Sequence, residues 1–335
     1  MFGLPDLAGL AQLRRALTGA PARLATASLD VLQGDPPDCL WINCCAMHVA
    51  GHQFYDLGLL PDGDARRQLE TTRLDVARAY DVMLGELLEV LPAGSDIIIF
   101  YAKGMGPSNG WVDLLPAMVT AVLGGTRAAD APVSRFRQLV PRSLRSAVAS
   151  LLSDDTALEL TARLSTPRVD WTRTRAFVLP SDGPGFIRFN LQRRDRDGIV
   201  SEAERRELIT EIREGLASFT DLDGEPCVQH VCEPEELYGS GPRLARFPDL
   251  LVFWNKKPTL LGSGVRSPRF GDFRRTGVST GRSGNHCAGS MALLAPGRSR
   301  LNAPTRIEPE DIPATVLSAL GLPHADLPGR SLLTR

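Results

Sequence analysis

The chain has 335 residues, 43% hydrophobic and 23% charged, and 38 basic against 39 acidic residues leave a formal net charge of −1. This composition suits a sizeable core and offers no basic excess to hold a phosphate backbone, so a nucleic-acid partner is not expected. No apolar run approaches the roughly 18 residues of a membrane span, and MFGLPDLAGLAQLRRALTGAPARL lacks the layout of a secretion signal, so no membrane partner is expected either.

Six cysteines, Cys39, Cys44, Cys45, Cys227, Cys232 and Cys287, form no CxxC pair. Their spacing supports neither a zinc ribbon nor a disulfide framework, so reduced thiols and a cytoplasmic location are expected.

In chain order, residues 1–37 read as a helical segment ahead of a single α/β domain over 38–335. CLWINCC (39–45) is a short apolar run with the look of a buried strand. The segment MHVAGH follows it and places His48 and His52 four residues apart. Such a pair shares one face only if the stretch is helical, and the glycine between them counts against a helix. Residues 64–91 carry Leu69, Val76, Tyr80, Met83, Leu84, Leu87 and Leu88 at helical spacing, which predicts a long amphipathic helix. IIIFY (97–101) reads as a second buried strand, followed by the glycine-rich turn KGMGPSNG and a helix over 111–123. Strand, helix and strand in this order predict a mainly parallel central sheet flanked by helices.

Residues 126–175, rich in Arg, Ser and Ala, read as surface helices and loops. AFVLP (176–180) and FIRFN (186–190) predict two strands, 201–219 an amphipathic helix, and DLLVFW (249–254) another buried strand. Residues 255–285 read as one long polar loop, MALLAP (291–296) as a strand and 310–322 as a closing helix. RRDRDGIVSEAE (193–204) carries Asp195, Asp197, Gly198 and Glu204 at calcium-loop spacing. Its first position is Arg193, where a carboxylate is required, so a calcium site is not expected there.

Three segments that end predicted strands carry unusual polar residues: 47–52, 101–110 and 281–289. Ligands gather at the carboxyl ends of strands in open α/β sheets. If these loops meet, His48, His52 and His286 make a set of three imidazoles, which holds zinc and leaves a coordination position open. Histidine suits other divalent transition metals as well.

Several segments together resemble the alkaline phosphatase superfamily, in its type I phosphodiesterase and nucleotide pyrophosphatase branch. HVAGHQFYDL is similar to the family's metal-binding segment, and IIIFYAKGMGPSNG to its strand ending in a His-Gly-Met turn. GFIRFNLQRRDRDGIV, FPDLLVFW, GNHCAGSMALLAPG and DIPATVLSALGLPHADLPGRSLL follow in the family's order. The resemblance implies an alkaline phosphatase-like fold and hydrolysis of small phosphate or sulfate esters, phosphodiesters included, at a pair of zinc-like ions. It places His52 and His286 at one metal site, with His48 where the family has Asp. Ala102 and Lys103 stand in place of the Asp-His pair of the second site. The family's N-terminal part, with its nucleophile, has no counterpart in the chain.

Two expectations follow. One is a metal-dependent hydrolase with a single-metal site, in which Lys103 supplies positive charge in place of the second ion. Asn109, Arg282 and Asn285 are then candidates for substrate contact. The other is a catalytically inactive homologue acting as a binding or partner subunit. A separate chain carrying the missing N-terminal part is an implied partner of the first.

Overall fold

The structure, a computed structural model, describes residues 6–125, 170–181, 183–275, 282–301 and 306–334. Most of the arginine- and serine-rich stretch over 126–175 lies outside the described residues. The chain forms two compact units. One comprises Met1–Asn109, Pro258–Leu261 and Gly277–Arg335, the other Gly110–Lys257 and Gly262–Thr276.

The first unit begins with helices. Helix α1 (Leu7–Thr18) starts at Asp6, whose carboxylate accepts the Gly9 N–H at 2.6 Å, and α2 (Ala20–Gln33) follows directly. Helix α3 spans Cys45–Gln53, α4 spans Asp64–Glu70 and α5 spans Thr72–Val90. Leu10, Ala50, Phe54, Val76, Met83 and Leu87 lie in their shared core. The long helix expected over 64–91 is thus interrupted at Thr71. Its hydroxyl bonds to the Gln68 carbonyl at 3.2 Å and to Asp75 at 2.7 Å, and that of Thr72 bonds to the Leu69 carbonyl at 2.7 Å. Such hydroxyls compete locally with the helical ladder. The strand expected over 39–45 is absent: residues 39–44 carry no regular secondary structure, and Cys45 already opens α3.

Three small sheets complete this unit, and every pairing in them is antiparallel. Strand β1 (Ile97–Tyr101) pairs with β11 (Met291–Ala295), and β2 (Gly104–Pro107) with β10 (Gly284–Cys287). Strand β12 (Arg300–Leu301) pairs with β13 (Leu333–Thr334), after helix α9 (Asp311–Ala319). The first pair is apolar throughout, yet Met291 is 65% and Leu293 53% exposed.

In the second unit, β3 (Ala176–Leu179), β4 (Gly185–Phe189), β7 (Leu250–Trp254) and β6 (Val228–Cys232) form one sheet in that spatial order, again antiparallel. Helices α6 (Leu115–Val122) and α7 (Glu202–Ala217) pack on it around Leu115, Met118, Ile187, Ile212 and Val252. A short helix α8 (Pro234–Tyr238) follows β6. Strands β5 (Thr220–Asp221), β8 (Gly264–Ser267) and β9 (Gly271–Arg274) form a second antiparallel sheet. The polar stretch expected as one loop over 255–285 therefore contains a hairpin and the start of β10.

These pairings overturn the expected fold class. The molecule is mixed α/β with small antiparallel sheets, not a mainly parallel, alkaline phosphatase-like central sheet. The one parallel pairing among the described residues is the isolated bridge Leu191–Val200. The apolar runs IIIFY and DLLVFW have the composition of strands buried on both faces. Their direction depends on distant partners, which a run of side chains does not encode.

The RRDRDG loop is structural. The Asp195 carboxylate accepts the Leu191 N–H at 2.9 Å and the Arg194 Nε–H at 3.0 Å. Arg194 also donates two hydrogen bonds to buried Asp249, at 2.7 and 2.9 Å. Arg193, at the position where a calcium loop needs a carboxylate, has φ +65°.

Candidate metal centre

The segment CAMHVAGHQ is helical despite its glycine. Ala46 and Ala50 face the core, and the Ala46 N–H donates to the Tyr80 hydroxyl at 3.2 Å, which pins the first turn of α3 to α5. At Gly51 the space of a side chain is already taken. A Cβ there would lie 2.9 Å from both Cγ and Cε of Met105. The helical spacing then turns His48 and His52 to one face, with ring centroids 4.7 Å apart.

The third histidine arrives on β10. Its first residue, Gly284, lies against the helix backbone: a Cβ there would stand 2.1 Å from the Gly51 carbonyl oxygen, so only glycine fits. Ser283 fastens the contact. Its N–H donates to the His52 carbonyl at 2.9 Å, and its hydroxyl accepts the Tyr55 and Asp56 N–H groups at 3.1 and 3.0 Å. Side chains alternate along a strand, so His286 shares the helix-facing side with Gly284. Its ring centroid lies 4.9 Å from that of His48 and 4.8 Å from that of His52.

One nitrogen from each ring can be chosen so that all three lie within 4.8 Å of one another. Four-coordinate zinc holds nitrogens at about 2.0–2.1 Å, which separates them by roughly 3.4 Å. Small ring rotations close that difference. One ring is already aimed: Nδ1 of His52 lies 2.8 Å from the Gly284 carbonyl oxygen. A carbonyl can only accept, so Nδ1 carries the proton and Nε2 keeps the lone pair that a metal requires. Burial is graded, with His52 5% exposed, His48 half-buried and His286 exposed, so the cluster opens on the His286 side. The donor set fits a divalent transition metal, zinc included.

The other expected site residues lie around this cluster and not within it. Lys103 sits in the exposed turn between β1 and β2, two residues before Met105, the cross-strand partner of His286. Asn285 pairs with Gly106, and strand alternation turns it to the side opposite His286. Asn109 and Arg282 flank the far end of the same ladder, which continues through the Ser108 N–H bonded to the Ser283 carbonyl at 2.9 Å. Four extended residues separate that end from Lys103, a span of about 13 Å. The reading of the sequence missed Ser283 and Gly284, which bring His286 and His52 together. The only hint of them was a glycine two residues ahead of a histidine.

No helix among the described residues is long and apolar enough to cross a membrane. Comparison with family models, with characterised proteins and with solved structures finds no match.

Proposed function

We propose that the chain is a metal-dependent hydrolase of small phosphate or sulfate esters, phosphodiesters included, built on a single-ion centre of His48, His52 and His286. The observation that carries this reading is the convergence of three ring nitrogens, one of them in a fixed tautomer. A zinc or similar divalent ion bound there supplies Lewis acidity and water of lowered pKa at its open position.

The chain's own residues do the rest. Gly284 holds the His52 ring, and Ser283 fixes the helix end to the strand. Substrate approaches past exposed His286. Lys103, on the turn leading to the His286 partner strand, balances part of the ester's charge as a point charge. Asn109, Arg282 and Asn285 remain candidates for contact with the remainder of a larger ester. The six free cysteines support a cytoplasmic setting.

The test is elemental analysis of the purified chain, wild type against His52→Ala, with turnover of chromogenic phosphate and sulfate esters. Near-stoichiometric metal, lost together with turnover in the variant, is the expected result. A metal-free wild type would overturn the reading. Turnover unchanged in Lys103→Ala would remove Lys103 from it.

A second reading, an inactive homologue serving as a partner subunit, is favoured by one observation. The β1–β11 pair leaves Met291, Leu293 and Phe100 exposed, beside Trp41 at 60% exposure. A chain carrying a counterpart of the family's N-terminal part is the partner proposed. Bound metal with no ester turnover would favour this role.

A further inference from the structure

The three histidines are not the only side chains able to ligate a metal at this corner of the first unit. Met105 is the register partner of His286 across the β2–β10 ladder, so the two side chains leave the same face. Directly opposed residues bring their Cβ atoms to about 4.5–5.5 Å. The Met105 chain runs from there onto helix α3. Its Cγ and Cε both lie 2.9 Å from the point where a Cβ on Gly51 would stand, in the turn between His48 and His52. The thioether therefore lies between the strand that carries one ligand and the helix that carries two. Gly51, a poor helix former, makes room for it.

Imidazole binds ions of intermediate softness. A thioether is soft, serves copper(I) well and zinc poorly, and methionine's three rotatable bonds let its sulfur swing. We propose that Met105 is a fourth donor of this centre and that the centre takes copper(I) as well as a divalent ion. With zinc, the methionine stays packed on Gly51 and the fourth position remains open. With copper(I), the sulfur fills it. This inference rests on the reading of the three histidines as a metal centre.

The test titrates the metal-free full chain with zinc(II) against a zinc-responsive dye, and with copper(I) under reducing, oxygen-free conditions against a chromogenic copper(I) chelator. Exposed thiols also bind copper(I), so Cys39, Cys44, Cys45 and Cys287 are replaced by serine throughout, and on that background the proteins are the otherwise wild-type chain, Met105→Leu, Gly51→Ala and His52→Ala. Leucine keeps the volume and removes the sulfur, while alanine at 51 displaces Met105 and leaves every donor present. Expected are one copper(I) per wild-type chain, a tenfold or greater loss of copper(I) affinity in Met105→Leu, and zinc affinity there within threefold of wild type. Gly51→Ala should shift copper(I) affinity relative to zinc, and His52→Ala should abolish both.

Copper(I) affinity unchanged in Met105→Leu would overturn the proposal, leaving Met105 as packing. An equal loss for both ions in that variant would also overturn it, because Met105 would then act through the fold. Zinc binding without copper(I) binding in the wild type would defeat this inference and leave the hydrolase reading standing. Binding of neither ion would defeat both.

Discussion

His52 and His286 are both candidate ligands, but their removal has different consequences in the metal-free protein. His52 is buried and donates to the Gly284 carbonyl, so His52→Ala leaves that oxygen unsatisfied and opens a cavity. We expect about 2 kcal/mol of destabilisation in denaturant unfolding with a chelator present, against less than about 0.5 kcal/mol for exposed His286→Ala. Equal effects would mean that His52 is not held as described. Asp249 is a larger case. It receives two hydrogen bonds from Arg194 and one from the Phe189 N–H at 2.7 Å, and it is 7% exposed. Asp249→Ala is expected to destabilise by roughly 3 kcal/mol, since the half-buried Arg194 guanidinium keeps only Asp195 as counter-charge and the buried Phe189 N–H loses its acceptor. The thiols give a third check. Burial pushes Cys227 up to about 12, and Cys232 is buried as well, while Cys39, Cys44, Cys45 and Cys287 are exposed. Mass spectrometry after maleimide labelling should find those four modified in the native chain and the other two only after denaturation. At this scale the sequence was informative: it singled out the three histidines. It did not disclose which His52 nitrogen carries the proton, because a backbone carbonyl from a distant strand decides that.

Gly284 ties two elements together with no side chain of its own. Gly284→Ala would drive a methyl group into the Gly51 carbonyl, backbone against backbone, so β10 must withdraw from α3. We expect this variant to lose metal binding although every ligand remains, with equilibrium dialysis as the measure. Retention of metal would show that the strand-to-helix contact is not what assembles the cluster. Helix α7 offers a local comparison. Ser201 and Glu204 form a reciprocal cap at its start, and Ser201→Ala should lower stability by about 1 kcal/mol. That cap stands in the sequence as Ser-x-x-Glu before an amphipathic repeat, and the helix expected over 201–219 is found at Glu202–Ala217. Helix α3 was harder to read. Its glycine argues against a helix, and the Met105 side chain that answers this argument lies far along the chain. The hairpin β8–β9 was missed because only Val265 and Phe273 among its paired residues are large and apolar, and its turn, closed by Gly271 at φ +84°, sits inside a run rich in Gly, Arg and Ser.

Acid should act on the whole molecule through carboxylates held below their ordinary range. At Asp195 and Asp221 burial opposes ionisation, but it is outweighed by hydrogen bonds from Arg194 and the Leu191 N–H in one case, and from Lys257 and the Glu225 and Asp223 N–H groups in the other. At Asp75 the lowering comes from Arg14 and Thr71, and at Asp311 from the backbone N–H groups of Glu308 and Arg330. The unfolded chain binds protons to these groups first, near pH 4, so their contribution is intact at neutral pH and is lost as pH falls further, through the folded-state values. Denaturation midpoints should therefore be flat between about pH 7 and 5 and fall steeply below 4. A midpoint that rises on acidification would contradict the assignment. The α/β mixture was legible from the alternation of apolar runs and amphipathic helices, whereas strand direction and the division into two units were not, since both depend on contacts between distant residues.

The bond from His52 to Gly284 bridges 232 positions, and the whole of the second unit lies between its ends in the sequence. On the ribosome, His48 and His52 emerge before that entire insertion is made. The three histidines can therefore come together only after the whole of the second unit has been synthesised. A chain halted just short of His286 would carry a fully synthesised second unit and only two of the three imidazoles.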